Sequence, residues 1–231
     1  NVVKCEFEKL GYLFESLKKN GINRIVMAGA ISRPQLEQSK MDNYTQSIIS
    51  LLNAKLVQGD NELLSFIAGE FEQRGYEIVG ASEILPDLTL KPEFVCGIPY
   101  RSIQRDVEKA DKVLKLLSSE DIGQGIVVEN GLVLGIETLQ GTNELLKFVK
   151  KTSVHLRIAE TGGVFVKRPK FNQNLQFDMP VIGPETINLA CNAGLRGLVV
   201  SPLSVIVLDQ KKCLQIAKAN NFFILAKDST S

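Results

Sequence analysis

GIVVENGLVLGIE, residues 125–137, consists of two apolar, β-branched runs on either side of Asn130-Gly131. Both central residues of a type I′ turn need positive φ, which Asn and Gly accept at low steric cost, so the stretch predicts a two-residue hairpin. Its surroundings predict something else. A helical pattern runs from Ser102 to Leu117 before it, and another from Thr142 to Lys150 after it. A strand is expected in GVFVK (163–167), a helix over Pro184 to Ala193, strands in RGLVV (196–200) and SVIVLD (204–209), a helix over Gln210 to Ala219 and a strand in FFILA (222–226). Helices alternating with short apolar runs make βα units and parallel pairing, while the hairpin requires antiparallel pairing beside them. The expectation for residues 100–231 is therefore a mixed α/β domain.

Towards the N-terminus the pattern is simpler. Leu10, Leu13, Phe14 and Leu17 recur at helical spacing, Asn20-Gly21 stops the helix, and INRIVMAG (22–29) reads as a buried strand. Helices are expected over Tyr44 to Val57 and over Asp60 to Arg74, the second capped by Asp60 and ended at Gly75, before a strand in YEIVGA (76–81). This predicts an α/β domain over 1–88 with a parallel, Rossmann-like layer. The stretch LPDLTLKPEFVCGIP (85–99) has three prolines and no helical period, so 89–99 is expected to be a linker. The chain opens at Asn1, not Met, and an upstream segment carrying a first strand is expected.

Composition excludes several classes of function. A net charge of +1, 6% aromatic residues and no Trp do not make a nucleic-acid footprint. Cys5, Cys96, Cys191 and Cys213 are far apart and His155 is the single histidine, so no zinc site is expected and the thiols should be reduced, as in the cytoplasm. Cys191, in NLACNAG, reads as a small buried hydrophobe, and His155, among apolar neighbours, as structural. The longest apolar candidate, GLVVSPLSVIVL (197–208), is broken by Ser201, Pro202 and Ser204, so no spanning helix is expected.

Candidate chemistry gathers near the ends of elements. In FDMPVIGPET (177–186), Asp178 stands between two large apolar side chains just ahead of a helix start. Pro184 suits the first helical position and Gly183 the cap, and free N–H groups in the first turn, including that of Thr186, suit phosphate oxygens. The basic run VKRPK (166–170) places Lys167, Arg168 and Lys170 at a strand exit, where open α/β sheets bind ligands. Asp121 and Gln124 precede the hairpin, Glu137 ends it, and Thr142 and Asn143 open the next helix. Asp178 with Glu137 or Asp121 would supply the oxygen ligands that Mg²⁺ prefers.

The motifs, taken in order, carry a resemblance. VMAGAISRP (26–34), GDNELL (59–64), GYEIVGASEILP (75–86), DIGQGIVVENGLVLGIET followed by GTNELL (121–146), GGVFVKRPK (162–170), DMPVIGPETI (178–187) and AGLRGLVV (193–200) resemble the UDP-2,3-diacylglucosamine pyrophosphatases of the LpxI type along essentially the whole chain. The resemblance implies a Gram-negative lipid A enzyme that cleaves the pyrophosphate of UDP-2,3-diacylglucosamine to UMP and lipid X and needs Mg²⁺. It also implies two domains with the lipid-linked UDP-sugar substrate between them, and a catalytic aspartate in the motif that here contains Asp178. Lys167, Lys170, Gln124, Thr142, Gly183 and Thr186 are then the expected substrate contacts. A diacylated substrate leads us to expect peripheral contact with the inner membrane and no nucleic-acid partner. Asn61, Asn143 and Asn174 stand where the resemblance leads one to expect acids.

Overall fold

The computed structural model describes residues 2–29, 36–57, 60–152, 156–157, 162–171 and 173–229, with backbone alone at 60–61. His155 and part of the VMAGAISRP stretch lie outside these residues. The chain divides into two compact units, Asn1–Ile84 with Gln176–Asp178, and Leu85–Leu175 with Met179–Ser231.

The first unit contains α1 (Leu10–Lys19), β1 (Arg24–Ile25), α2 (Asn43–Leu56), α3 (Asp60–Glu72), β2 (Glu77–Ile78) and a single turn, α4 (Ala81–Ile84). Helix α1 ends where Asn20 turns its side-chain amide back to donate to Ser16 O at 2.7 Å and Gly21 takes a φ of 65°. Asp42 caps α2, accepting the Thr45 N–H at 2.8 Å, and its other oxygen accepts the Tyr12 N–H of α1 at 3.0 Å, so one carboxylate joins the two helices. The apolar faces of α1 and α3 meet around the Phe14, Phe71 and Tyr76 rings, with the Arg74 guanidinium 4.3 Å from the centres of the Phe14 and Tyr44 rings. β1 and β2 pair in parallel, as the alternation of elements predicts.

The second unit is built on a six-stranded sheet of β3 (Val95–Cys96), β4 (Gly125–Glu129), β5 (Leu132–Ile136), β6 (Val164–Lys167), β8 (Gly197–Val200) and β10 (Phe223–Ala226). Their order is β3-β10-β8-β6-β4-β5. β6, β8 and β10 run parallel to one another, and β4, β5 and β3 join antiparallel. The sheet is mixed for the reason the hairpin gave. Strand side chains alternate between two covers: Val127, Phe165, Leu198 and Ile224 face a core shared with α6 (Gly141–Lys151), α7 (Pro184–Asn192) and α8 (Gln210–Ala219). Ile126, Val164, Val166, Val199 and Phe223 face α5 (Ile103–Ser118). A small parallel pair, β7 (Val181–Ile182) with β9 (Ile206–Val207), precedes α7 and α8.

The segment 89–99, expected as a linker, is part of this second unit. Leu90 and Cys96 lie in its core, and Val95 and Cys96 pair with β10. Pro92 and Pro99 lie on either side of these two residues at a sheet edge, where a missing N–H breaks no central ladder.

The hairpin turn has φ of 50° at Asn130 and 78° at Gly131, as the Asn-Gly pair requires. It is held to α5 by Asp106, whose carboxylate accepts the Asn130 N–H at 3.1 Å, the Gly131 N–H at 2.7 Å and the Tyr100 hydroxyl at 2.6 Å. Asp106 is 1% exposed. Burial first, and then this carboxylate, push the Tyr100 hydroxyl above its usual range, so it remains a donor at working pH. Asp106→Ala leaves these donors without their acceptor, and we expect a loss of about 3 kcal/mol in urea unfolding followed by circular dichroism. A loss under about 0.5 kcal/mol would show that the turn stands without the staple.

Candidate functional site

The parallel strands β6, β8 and β10 end at one edge of the sheet, with Lys167, Val200 and Ala226 as their last residues. That edge is where ligands bind in open α/β sheets. Arg168, the residue after β6, ties the exits together. It is buried, pairs with Asp111 of α5 at 2.9 Å, donates to Ser201 Oγ at 3.3 Å and also donates to the Lys227 carbonyl.

Three of the sequence candidates meet at the end of β6. Lys167 Nζ lies 2.9 Å from Glu137 Oε1, 2.6 Å from Oε2 and 2.9 Å from Thr142 Oγ1, and the Thr142 hydroxyl donates to Glu137 Oε1 at 3.0 Å. The Lys167 and Glu137 side chains are 3% and 11% exposed. The basic run therefore does not present Lys167 to solvent as a free charge. The Thr142 hydroxyl belongs to this ring, and the N-cap residue of α6, Gln140, makes no side-chain cap.

A second pair lies further along the run, with Lys170 Nζ 2.7 Å from Asp121 Oδ1. This pair is open to solvent on the Asp121 side, and Asp121 has a φ of 58°. Gln124 contributes its carbonyl, which accepts the Arg168 N–H at 2.8 Å. At the start of α7, the Gly183 N–H donates to Thr186 Oγ1 at 3.3 Å and its carbonyl accepts the Ile187 N–H at 3.2 Å, with Pro184 in the first helical position.

Asp178 belongs to the first unit. Gln176, Phe177 and Asp178 cluster there, with Gln176 Nε2 donating to Ile78 O at 3.4 Å and Phe177 packed on the Ala68, Phe71 and Ile78 core. Asp178 is half-buried, and from Met179 the chain belongs to the second unit.

The three acids expected to hold Mg²⁺ are thus disposed differently. Glu137 and Asp121 are the partners of Lys167 and Lys170, so neither fits a cation as it stands. Among the described residues no group of three or more His, Cys, Asp or Glu side chains is placed to hold a metal ion. The Arg168–Asp111 pair, and the glycines at 123 and 125 that bear on Glu137, escaped the sequence reading. The G-x-G spacing in DIGQG ahead of a strand was the available signal.

The fold and the placement of these residues define an α/β protein of two units, with three basic residues, each paired with a carboxylate, at a strand exit of the second. Residues 1–88 match the LpxI N-terminal domain family and residues 95–225 the LpxI C-terminal domain family. The chain belongs to the LpxI family. It is similar to the UDP-2,3-diacylglucosamine pyrophosphatase LpxI of Caulobacter vibrioides, at 32% identity over 223 residues, spanning 95% of this chain and 80% of that protein. No helix among the described residues is long and apolar enough to cross a membrane.

The cysteines are not part of the site. Burial pushes the Cys191 and Cys213 thiols up to about 11, with Asp209 adding to the effect at Cys213. A raised pKa removes the reactive thiolate at neutral pH. With a disulfide probe at pH 8 we expect exposed Cys5 to react first, and Cys96, Cys191 and Cys213 to react only after urea unfolding. Prompt reaction of Cys191 in the native chain would contradict this.

Proposed function

We propose that the chain hydrolyses the pyrophosphate bond of UDP-2,3-diacylglucosamine to UMP and 2,3-diacylglucosamine 1-phosphate (lipid X), as a Mg²⁺-dependent step of lipid A biosynthesis. The observation that carries this reading is the match to the Caulobacter vibrioides pyrophosphatase, which extends through both units.

The chemistry asks for three things: a group that orients and deprotonates water, cations that offset charge growing on the phosphates, and donors for the phosphoryl oxygens. Asp178 takes the first role. It accepts a hydrogen bond, then the proton, from a water whose oxygen bonds to one phosphorus. The bridging P–O bond breaks, and its electron pair leaves with the other phosphoryl group. Lys170 takes the second role, because its pair with Asp121 is exposed enough to be exchanged for a phosphate oxygen. N–H groups in the first turn of α7, beyond Gly183, take the third.

Asp178 serves either as this base or, since Mg²⁺ is commonly held by one or two carboxylates together with substrate phosphates, as the carboxylate that would hold the ion, which would supply Lewis-acid neutralisation of the pyrophosphate. A substrate with two acyl chains resides in or beside the bilayer. The protein is accordingly proposed to work in the cytoplasm with peripheral contact at the inner membrane.

The test compares UMP release from UDP-2,3-diacylglucosamine by the parent chain and by Asp178→Asn, with circular dichroism as the control for folding. Loss of a positioned base or metal-binding carboxylate should lower turnover by about a hundredfold or more with the fold intact. Substrate binding without turnover by the parent chain would make it a binding module, and near-normal turnover by Asp178→Asn would place the base elsewhere. Exhaustive chelation should abolish UMP release and added Mg²⁺ restore it; release that survives chelation would remove the metal from the account.

A further inference from the structure

We infer that Glu137 is a positioning residue acting through Lys167 and Thr142, and not a ligand of the divalent cation; the inference rests on the pyrophosphatase reading above. Its first support is that the surrounding backbone is shaped to the carboxylate. Gly125 accepts the Glu137 N–H at 2.8 Å, and a Cβ on Gly125 would lie 2.5 Å from Glu137 Oε2. Gly123, at a φ of 59°, is pressed so closely on the Glu137 carbonyl that a Cβ there would lie 2.0 Å from its oxygen. The two glycines of DIGQG therefore let the β4 entry close over Glu137 and fix where its carboxylate lies.

The second support is the occupancy of the carboxylate. Lys167 Nζ reaches both oxygens and Thr142 donates to Oε1. An ionised carboxylate offers about four lone-pair sites, and these contacts leave little room for another ligand. A Mg²⁺ ion on Oε2 would also sit beside the ammonium already 2.6 Å from that oxygen, and the two cations would repel. The arrangement instead suits a different role. A buried ammonium keeps its charge when a carboxylate faces it, and the Thr142 hydroxyl accepts from Nζ while donating to Oε1, closing a three-membered ring of contacts. Lys167 is thereby held in place at the end of β6, and the first turn of α6 is held to it.

A double-mutant cycle of Glu137→Gln, Lys167→Met and the pair, read by urea unfolding and by kcat/KM for UDP-2,3-diacylglucosamine, tests this. Glu137→Gln should destabilise the chain because it strands the ammonium. The double variant should be no less stable than Glu137→Gln, and its kcat/KM should match Lys167→Met within about twofold. The Mg²⁺ concentration for half-activation should stay unchanged in Glu137→Gln. Thr142→Val, a milder change, should lose kcat/KM in the same direction without unfolding.

Additive destabilisation, or losses in kcat/KM that multiply, would overturn the assignment. So would a rise of about tenfold or more in the Mg²⁺ requirement of Glu137→Gln, the mark of a lost ligand. If Glu137→Gln does not fold, recovery of folding in the double variant supports the inference and its failure overturns it. A parent chain that does not turn over contradicts the proposed activity alone, because the unfolding cycle still decides the role of Glu137.

Discussion

An ammonium group can be buried at the end of a strand only if an anion is buried with it, and the second unit is arranged around that constraint. Lys167 ends β6, which lies between β8 and β4 within the sheet. Its partner Glu137 comes from the far side of the hairpin, one residue beyond β5, and Thr142 from the first turn of α6. One ion pair thus fixes the exit of β6, the return of the hairpin and the start of α6. Breaking such a pair by removing one partner typically costs about 3–5 kcal/mol, far more than a surface pair contributes, because the remaining charge has no water to turn to. Arg168 and Asp111 repeat the arrangement on the other cover of the sheet, so two consecutive basic residues are both internal.

This explains which parts of the fold were legible. Asn130-Gly131 between apolar runs could be read because its turn needs positive φ at both positions, and the helices because apolar spacing and their stop residues coincided. The segment 89–99 could not, since three prolines within residues 85–99 suggest a connection and the strand it contains is two residues long. At a sheet edge so short a strand is enough, because the core contacts of Leu90 and Cys96 hold it.

The site was legible in kind and less so in arrangement. Lys167, Glu137 and Thr142 could be picked out as candidates from their places at element ends, but sequence spacing across 30 residues does not say that the ammonium and the carboxylate face each other. Without that knowledge Glu137 looks like a metal ligand and Lys167 like a free countercharge. Asp178 poses the converse case. Its neighbours Met179 and Pro180 belong with the second unit, whereas Asp178 itself goes with Phe177 to the first, and no periodicity in so short a stretch records the change. What did carry through is the order of motifs along the chain, which agrees with the family to which both units belong.

The central claim is that water, and no other acceptor, receives a phosphoryl group from a UDP-linked lipid. Turnover of UDP-2,3-diacylglucosamine in ¹⁸O-labelled water, followed by phosphorus NMR, tests it most directly. The account predicts that the coupled pyrophosphate signals give way to two phosphomonoester signals, UMP and the lipid sugar phosphate, with the heavy-oxygen shift on one of them. Persistence of the pyrophosphate signals, or cleavage with the label on neither product, would contradict it.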